Sequence, residues 1–206
     1  MAITPLMVDL EGKKIIIIGG GRVAYRRADT LTDSGAAITI ISPEIAEGIR
    51  SLLENEKVTW RQKNFEPVDL EEAFLVIVAT NNPEVNSSVV KACPPDSLLN
   101  VASDSTQGDV QFPSHLKRGK LTVSISTDGA SPLLSSKIKK QLQTTFEEGY
   151  GDYVDFLYES RQLIKRSPLG LKERRQLLKE LLSDEFLNSK KQRIAINWLT
   201  NLVERS

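Results

Sequence analysis

The chain has 206 residues, with 27 Lys+Arg against 27 Asp+Glu, so its formal net charge is zero. That balance speaks against a dedicated nucleic-acid binder. One cysteine, Cys93, excludes an internal disulfide framework and a multi-Cys zinc site, and one histidine, His115, excludes a His-rich metal cluster. The longest apolar stretches, 15–18 and 75–79, are strand-sized, far short of the roughly 20 residues that span a bilayer. The acidic start, with Asp9 and Glu11 and no long apolar run, does not read as a signal peptide. The expectation is a cytoplasmic protein that engages neither membrane nor nucleic acid.

In chain order, 14–18 (KIIII) predicts a strand buried on both faces, stopped by Gly19-Gly20-Gly21. From 22 to 34 the pattern turns helical, with Val23, Ala24, Ala28 and Leu31 on one side and Gly35 placed as a C-cap. A second strand covers 37–41, closed by Ser42-Pro43, and a short helix 45–54 follows. Strands are expected at 58–61, 74–79 and 98–101, with a helix over 84–92 that stops before Pro94-Pro95. This alternation argues for a parallel, doubly wound sheet.

Beyond 104 the pattern changes. Residues 104–109 read as a loop, 110–112 as a short strand, and 121–126 as a strand with one polar face. Ser131-Pro132 opens a helix that runs to about Phe146. The rest is helical, broken at Ser167-Pro168-Leu169-Gly170. The expected organisation is α/β: an N-terminal domain over 1–112, a central region over 113–147 and a helical C-terminal domain over 148–206.

Gly19-Gly20-Gly21-Arg22-Val23-Ala24 fits G-x-G-x-x-A between a buried strand and a helix, the context that makes this pattern a dinucleotide fingerprint. Gly19 permits the tight turn, Gly21 lets the backbone approach a pyrophosphate, and Ala24 keeps the helix close to the sheet. The helix start then faces the anion with free N–H groups. No Arg or Lys directly follows the second strand to meet a 2′-phosphate, and Glu44 lies where a ribose-binding acid is expected. NAD is therefore preferred over NADP. The alternative is that Glu44 simply begins the next helix. Thr80 and Asn81 follow the fourth strand, where they either line the cofactor cleft or form a simple turn.

Four stretches resemble a known family: GGGRVAYRRADTL at 19–31, VIVATNNPEVN at 76–86, NVASDS at 100–105 and FPSHLKRGKLTVSISTDGASPLLSSKIKKQL at 112–142. They look like precorrin-2 dehydrogenase of siroheme synthesis, a module that also forms the N-terminal part of the multifunctional siroheme synthase. The likeness covers about residues 5–200 and does not include that enzyme's methyltransferase domain. It implies a Rossmann domain that binds NAD, a central region that forms a homodimer, and a helical part that helps cover the tetrapyrrole. It implies NAD-dependent oxidation of precorrin-2 to sirohydrochlorin. Some members also insert ferrous iron, so a bifunctional dehydrogenase/ferrochelatase is one alternative. A non-catalytic NAD- and tetrapyrrole-binding module is another.

By the family's motif, the nucleotide contacts fall on Arg22, Val23, Pro43 and Glu44. The family's essential aspartate, in strict register, aligns with Ser103, with Asp104 one position later. Asp104 is the nearest carboxylate and is the candidate catalytic residue, to take a proton or hold a pyrrole N–H; Asp109 is the fallback. The family's phosphorylatable serine aligns nearest to Ser126 or Thr127. Residues 117–140 contain six cations and one acid, Asp128, a surplus that suits a substrate with eight carboxylates or is a solvated face. Ser124, His115 and Lys137 are the candidate substrate contacts, and no metal ligand set is expected.

Overall fold

The computed structural model describes residues 3–204. It divides into two compact units, Met1–Phe112 and Pro113–Ser206. No helix among the described residues is long and apolar enough to cross a membrane.

Unit one is a five-stranded parallel sheet flanked by helices. Its strands are β1 (Lys14–Ile18), β2 (Ala37–Ile41), β3 (Thr59–Arg61), β4 (Leu75–Val78) and β5 (Leu98–Val101), in the order β3-β2-β1-β4-β5. β-branched residues suit a sheet covered on both sides, and all four isoleucines of β1 are buried. Ile15 and Ile17 pack with Ala24 and Ala28 of α1 (Arg22–Leu31) and Ile49 of α2 (Glu47–Glu54). Ile16 and Ile18 face the other way, towards Val89 of α3 (Pro83–Ala92) and Leu70. Ala24 and Ala28 are fully buried, so α1 lies close against the strands. The strand order reverses between β1 and β4, and ligands of such sheets bind outside the carboxyl ends at that point.

The helix expected over 22–34 ends at Leu31 and continues as a short 3-10 turn, Thr32–Ser34. Gly35 follows with φ +73°, the left-handed stop expected of a C-cap glycine. The helix expected from 45 starts two residues later, at Glu47, because the amide of Ala46 bonds to Gly20 O at 2.7 Å. α3 has a strong start: Asn82 Oδ1 accepts from the amides of Glu84 (2.9 Å) and Val85 (3.3 Å), with Pro83 in the first helical position.

Residues 110–112 do not form the expected strand. The amides of Asp109 and Val110 both donate to Leu99 O, and the Asn100 side chain donates to Val110 O, so the segment is tied to β5 without a regular ladder. The extra strand lies further on. In unit two, β6 (Ser114–Arg118) and β7 (Leu121–Ile125) form an antiparallel hairpin. Leu116 is its one fully buried apolar residue in β6. α4 (Pro132–Thr145) packs on the hairpin and starts at Ser131, whose Oγ accepts from the Leu134 amide at 3.2 Å.

The remaining helices are α5 (Tyr150–Arg166), α6 (Leu171–Glu180) and α7 (Ser189–Glu204), around a core of Tyr153, Phe156, Leu163, Ile164, Leu181 and Leu199. The buried Tyr153 hydroxyl donates to Leu181 O at 3.1 Å. Tyr153→Phe should lose about 1 kcal/mol of stability by stranding that carbonyl. Urea denaturation followed by circular dichroism measures it, and an unchanged midpoint would show that the bond contributes nothing net.

Candidate functional site

Three chain turns meet at the carboxyl edge of the parallel sheet. The first is the glycine loop between β1 and α1. Gly19 has φ +117°, and a Cβ there would run into the carbonyl of Ala79 at the end of β4. Gly20 is as tightly held: a Cβ would meet Glu44 O and the Ser42 hydroxyl. Gly21 differs from both. It has ordinary extended dihedrals (φ −84°, ψ −170°), and a Cβ on it would meet nothing within 4 Å. The first two glycines are thus required by the protein's own packing, and the third borders open space.

Gly21 is also the N-cap of α1, with no side-chain cap and no acid in the first turn. The first-turn amides therefore have no side-chain acceptor, and the positive end of the helix dipole is unopposed. Arg22 and Val23 are exposed beside it. This arrangement fits a pyrophosphate: bare backbone, free donors and positive potential in one place.

The second turn, Ser42–Ala46, follows β2 and carries Pro43 and Glu44, both exposed. Its backbone is held by side chains. Ser42 Oγ donates to Glu44 O at 2.7 Å, Trp60 Nε1 to Ser42 O at 3.0 Å, and Gln62 Nε2 to Pro43 O at 3.2 Å. The bond from the Ala46 amide to Gly20 O couples this turn to the glycine loop. Glu44 thus stands at the end of β2, free to accept from a ribose hydroxyl and to repel a 2′-phosphate.

The third turn follows β4. Thr80 and Asn81 both sit at the cleft, but they are not equivalent. Thr80 Oγ1 lies 2.7 Å from Asn86 Oδ1 and accepts from the Asn82 amide at 3.0 Å, so its hydroxyl is engaged in starting α3. Asn81 is exposed, and among the described residues no hydrogen bond engages its side chain.

Asp104 comes after β5 at the same edge, two strands from β1 and hence about 10 Å across the sheet. Both its oxygens are occupied. Oδ1 accepts from the Thr106 amide (2.9 Å) and hydroxyl (2.7 Å), and Oδ2 from Gln107 Nε2 (2.8 Å). These bonds, the Thr106 hydroxyl foremost, hold its carboxyl below the usual carboxylate range. Ser103 is exposed beside it. Asp109 is committed elsewhere: its Oδ2 accepts from the Leu99 amide at 3.2 Å, a contact that anchors the chain to β5.

In unit two, His115 and Ser124 are direct cross-strand partners on β6 and β7, with Lys117 opposite Thr122 next along. These four alternate with Leu116 and Val123, so they share the hairpin face away from the buried Leu116. Lys137 does not join them. It lies on the opposite side of α4 from Ser135, the buried residue of that helix. The basic surplus of 117–140 is likewise dispersed. Arg118 donates to Phe146 O at 3.0 Å, and Lys120 pairs loosely with Asp155 at 3.9 Å while lying over the Tyr158 ring. Of the two residues nearest the family's serine position, Ser126 and Thr127, Thr127 is bonded to Ser131 and Ser135. Beyond the run of three glycines and the strand end at Ser42-Pro43, nothing in the sequence marks Gly20, Ser42, Trp60 or Gln62 as site residues.

Three family models match the chain in succession: an NAD(P)-binding model over residues 6–114, a sirohaem biosynthesis protein central model over 118–145, and a SirC C-terminal domain model over 150–196. The precorrin-2 dehydrogenase of Priestia megaterium is 38% identical over 181 residues, covering 88% of this chain and 90% of that protein. The precorrin-2 dehydrogenase of Bacillus subtilis (strain 168) is 36% identical over 158 residues, 77% of this chain and 98% of that one. A solved structure described as SirC, precorrin-2 dehydrogenase, superposes with a TM-score of 0.83 at 35% identity, covering 97% of this chain and all of the other.

Proposed function

The chain belongs to the precorrin-2 dehydrogenase family, and on that premise we infer that it oxidises precorrin-2 to sirohydrochlorin, with NAD as the electron acceptor. It is an oxidoreductase with an NAD-binding domain over its first half. The observation that carries the cofactor assignment is the open space at Gly21, beside an uncapped helix start.

The chain's own residues divide the work. The first turn of α1, with Gly19, Gly21, Arg22 and Val23, holds the pyrophosphate. Pro43 and Glu44 meet the adenosine ribose, and Glu44 favours a 2′-hydroxyl over a 2′-phosphate. Asn81 supplies the free amide at the β4 end, and Thr80 shapes that turn. A nicotinamide held by these residues would supply the two-electron hydride acceptor for one substrate hydrogen. The second hydrogen leaves the tetrapyrrole as a proton to solvent, which completes the two-electron oxidation.

Asp104 is the catalytic candidate, in one of the two roles the sequence allowed. Its lowered pKa suits a permanently ionised acceptor that holds a pyrrole N–H, and makes it a weak base. Ser124, His115 and Lys117 form a polar face suited to substrate carboxylates, and Lys137 contributes positive field from α4. The same reading includes a cytoplasmic homodimer. In support, β6 and β7 form a sheet of only two strands, a size that gains stability from further strands. Sedimentation at micromolar concentration should give twice the chain mass.

The direct test is an anaerobic assay of precorrin-2 with NAD. The expected result is one NADH formed for each sirohydrochlorin, followed by their absorption. Absence of NADH formation, with folded protein and intact precorrin-2, would overturn the assignment.

A further inference from the structure

We propose that Trp60 and Gln62, acting with Ser42, are positioning residues that hold the Ser42–Ala46 turn in the shape that selects NAD over NADP. The proposal rests on the cofactor reading above and adds the means by which Pro43 and Glu44 are kept in place.

Three successive backbone carbonyls of this turn, at Ser42, Pro43 and Glu44, each accept one side-chain bond, from Trp60, Gln62 and Ser42 respectively. Such regularity in a surface turn has a physical use. A free loop samples many conformations, and fixing each residue costs on the order of 1–2 kcal/mol in entropy. A loop fixed before the ligand arrives has already met that cost. The edge strand β3 is only three residues long. Its register against β2, Ile40 with Trp60 and Ile41 with Arg61, brings Trp60 beside the end of β2, and Gln62 follows two residues on.

Gln62 is exposed, and among the described residues its side chain has one hydrogen bond, to Pro43 O. Its part in the fold's core is therefore nil, which separates positioning from packing. Trp60 is half-buried against the α1 face of the sheet, so its ring packs while its N–H holds the turn. The Ser42 hydroxyl sits where any Cβ on Gly20 would strike it, and the Ala46 amide bonds Gly20 O. The ribose turn and the pyrophosphate loop are consequently one connected piece of backbone. A shift of the turn moves the Glu44 carboxylate relative to the glycine loop, and with it the discrimination between a 2′-hydroxyl and a 2′-phosphate.

The test compares the full-length wild type with Trp60→Phe, which keeps a ring but removes the donor, and Gln62→Ala, which alters only an exposed side chain. Trp198→Phe, on α7, serves as the control. Calorimetry gives Kd for NAD and for NADP, thermal melts report folding, and steady-state assays separate KM for NAD from kcat. The expected result is an NAD Kd raised about three- to tenfold in both variants, the effect of one lost hydrogen bond. NADP affinity should change less, so the NAD:NADP ratio falls, and KM rises while kcat holds. Unchanged NAD affinity in folded Gln62→Ala and Trp60→Phe would overturn the proposal. So would equal losses for NAD and NADP. Failure of the wild type to take up either dinucleotide would instead refute the cofactor reading itself.

Discussion

Gly21→Leu is expected to keep the fold and lose the cofactor, whereas Gly19→Ala should damage both. At Gly21 the backbone is in an ordinary extended conformation and no atom lies within 4 Å of a Cβ. The protein alone gives no reason for glycine there beyond its service as an N-cap, and replacing a glycine cap by an apolar residue costs about 1 kcal/mol or less. The melting temperature should fall by no more than a few degrees. The leucine side chain would, however, fill the space over the free first-turn amides, and NAD affinity should fall more than about 100-fold, since the pyrophosphate would lose its donors. Gly19 presents the opposite case. Its φ of +117° lies where L-residues are strained, and a Cβ would press on the Ala79 carbonyl. Gly19→Ala should cost about 2–4 kcal/mol of stability as well as NAD binding. Thermal melts and calorimetry on both variants decide the matter. A Gly21→Leu protein that binds NAD as the wild type does would remove the glycine loop from the cofactor site.

The contrast among the three glycines shows what could be read from the sequence and what could not. The G-x-G-x-x-A pattern assigns a task to the first and third glycines and leaves the middle position open. The reason Gly20 must be glycine lies about twenty residues on, in a turn whose carbonyl comes to rest against it. β1 and β2 were legible because isoleucine-rich runs suit few structures other than a buried strand. β6 was not: Ser-His-Leu-Lys-Arg has one inward apolar residue, Leu116, too little for a period to emerge. The strand exists because β7 pairs with it. The same holds for the site. Glu44 was found by distance along the chain from the glycine loop and Pro43 by the family's motif, but the Trp60 and Gln62 side chains that hold their turn come from another strand. Their sequence, Thr-Trp-Arg-Gln, reads as an ordinary edge. Thr80 was a reasonable cleft residue by position, yet its hydroxyl is engaged by Asn86, a partner one helical turn into α3.

Asp104→Asn is expected to lower kcat by about 100-fold or more while leaving the NAD Kd unchanged, because an amide cannot replace the negative charge that holds a developing or bound N–H donor. The geometry gives this variant a particular merit. The asparagine Oδ1 can still accept from the Thr106 amide and hydroxyl, so the turn survives, while the amide nitrogen would face the Gln107 donor and swing away from it. Asp104→Ala removes the turn's acceptors as well, and comparison of the two separates lost charge from a displaced loop. The pH dependence offers a second reading of the same residue. Its folded pKa is depressed, chiefly by the Thr106 hydroxyl. A depressed carboxylate contributes stability above its unfolded pKa of about 3.9, and that contribution is lost as pH falls through the lower folded value. Between about pH 5 and 9 the group therefore stays ionised, and kcat should show no acid limb from Asp104 in that range. A wild-type profile with an acid limb near neutrality that vanishes in Asp104→Asn would mean that this carboxyl carries a proton during turnover. Asp104 would then be a general base with a pKa raised by the bound tetrapyrrole. An unchanged kcat in Asp104→Asn would move the catalytic role elsewhere along the β5 edge. Ser103 would be the first position to test, because it is exposed and occupies the register where the family has its aspartate.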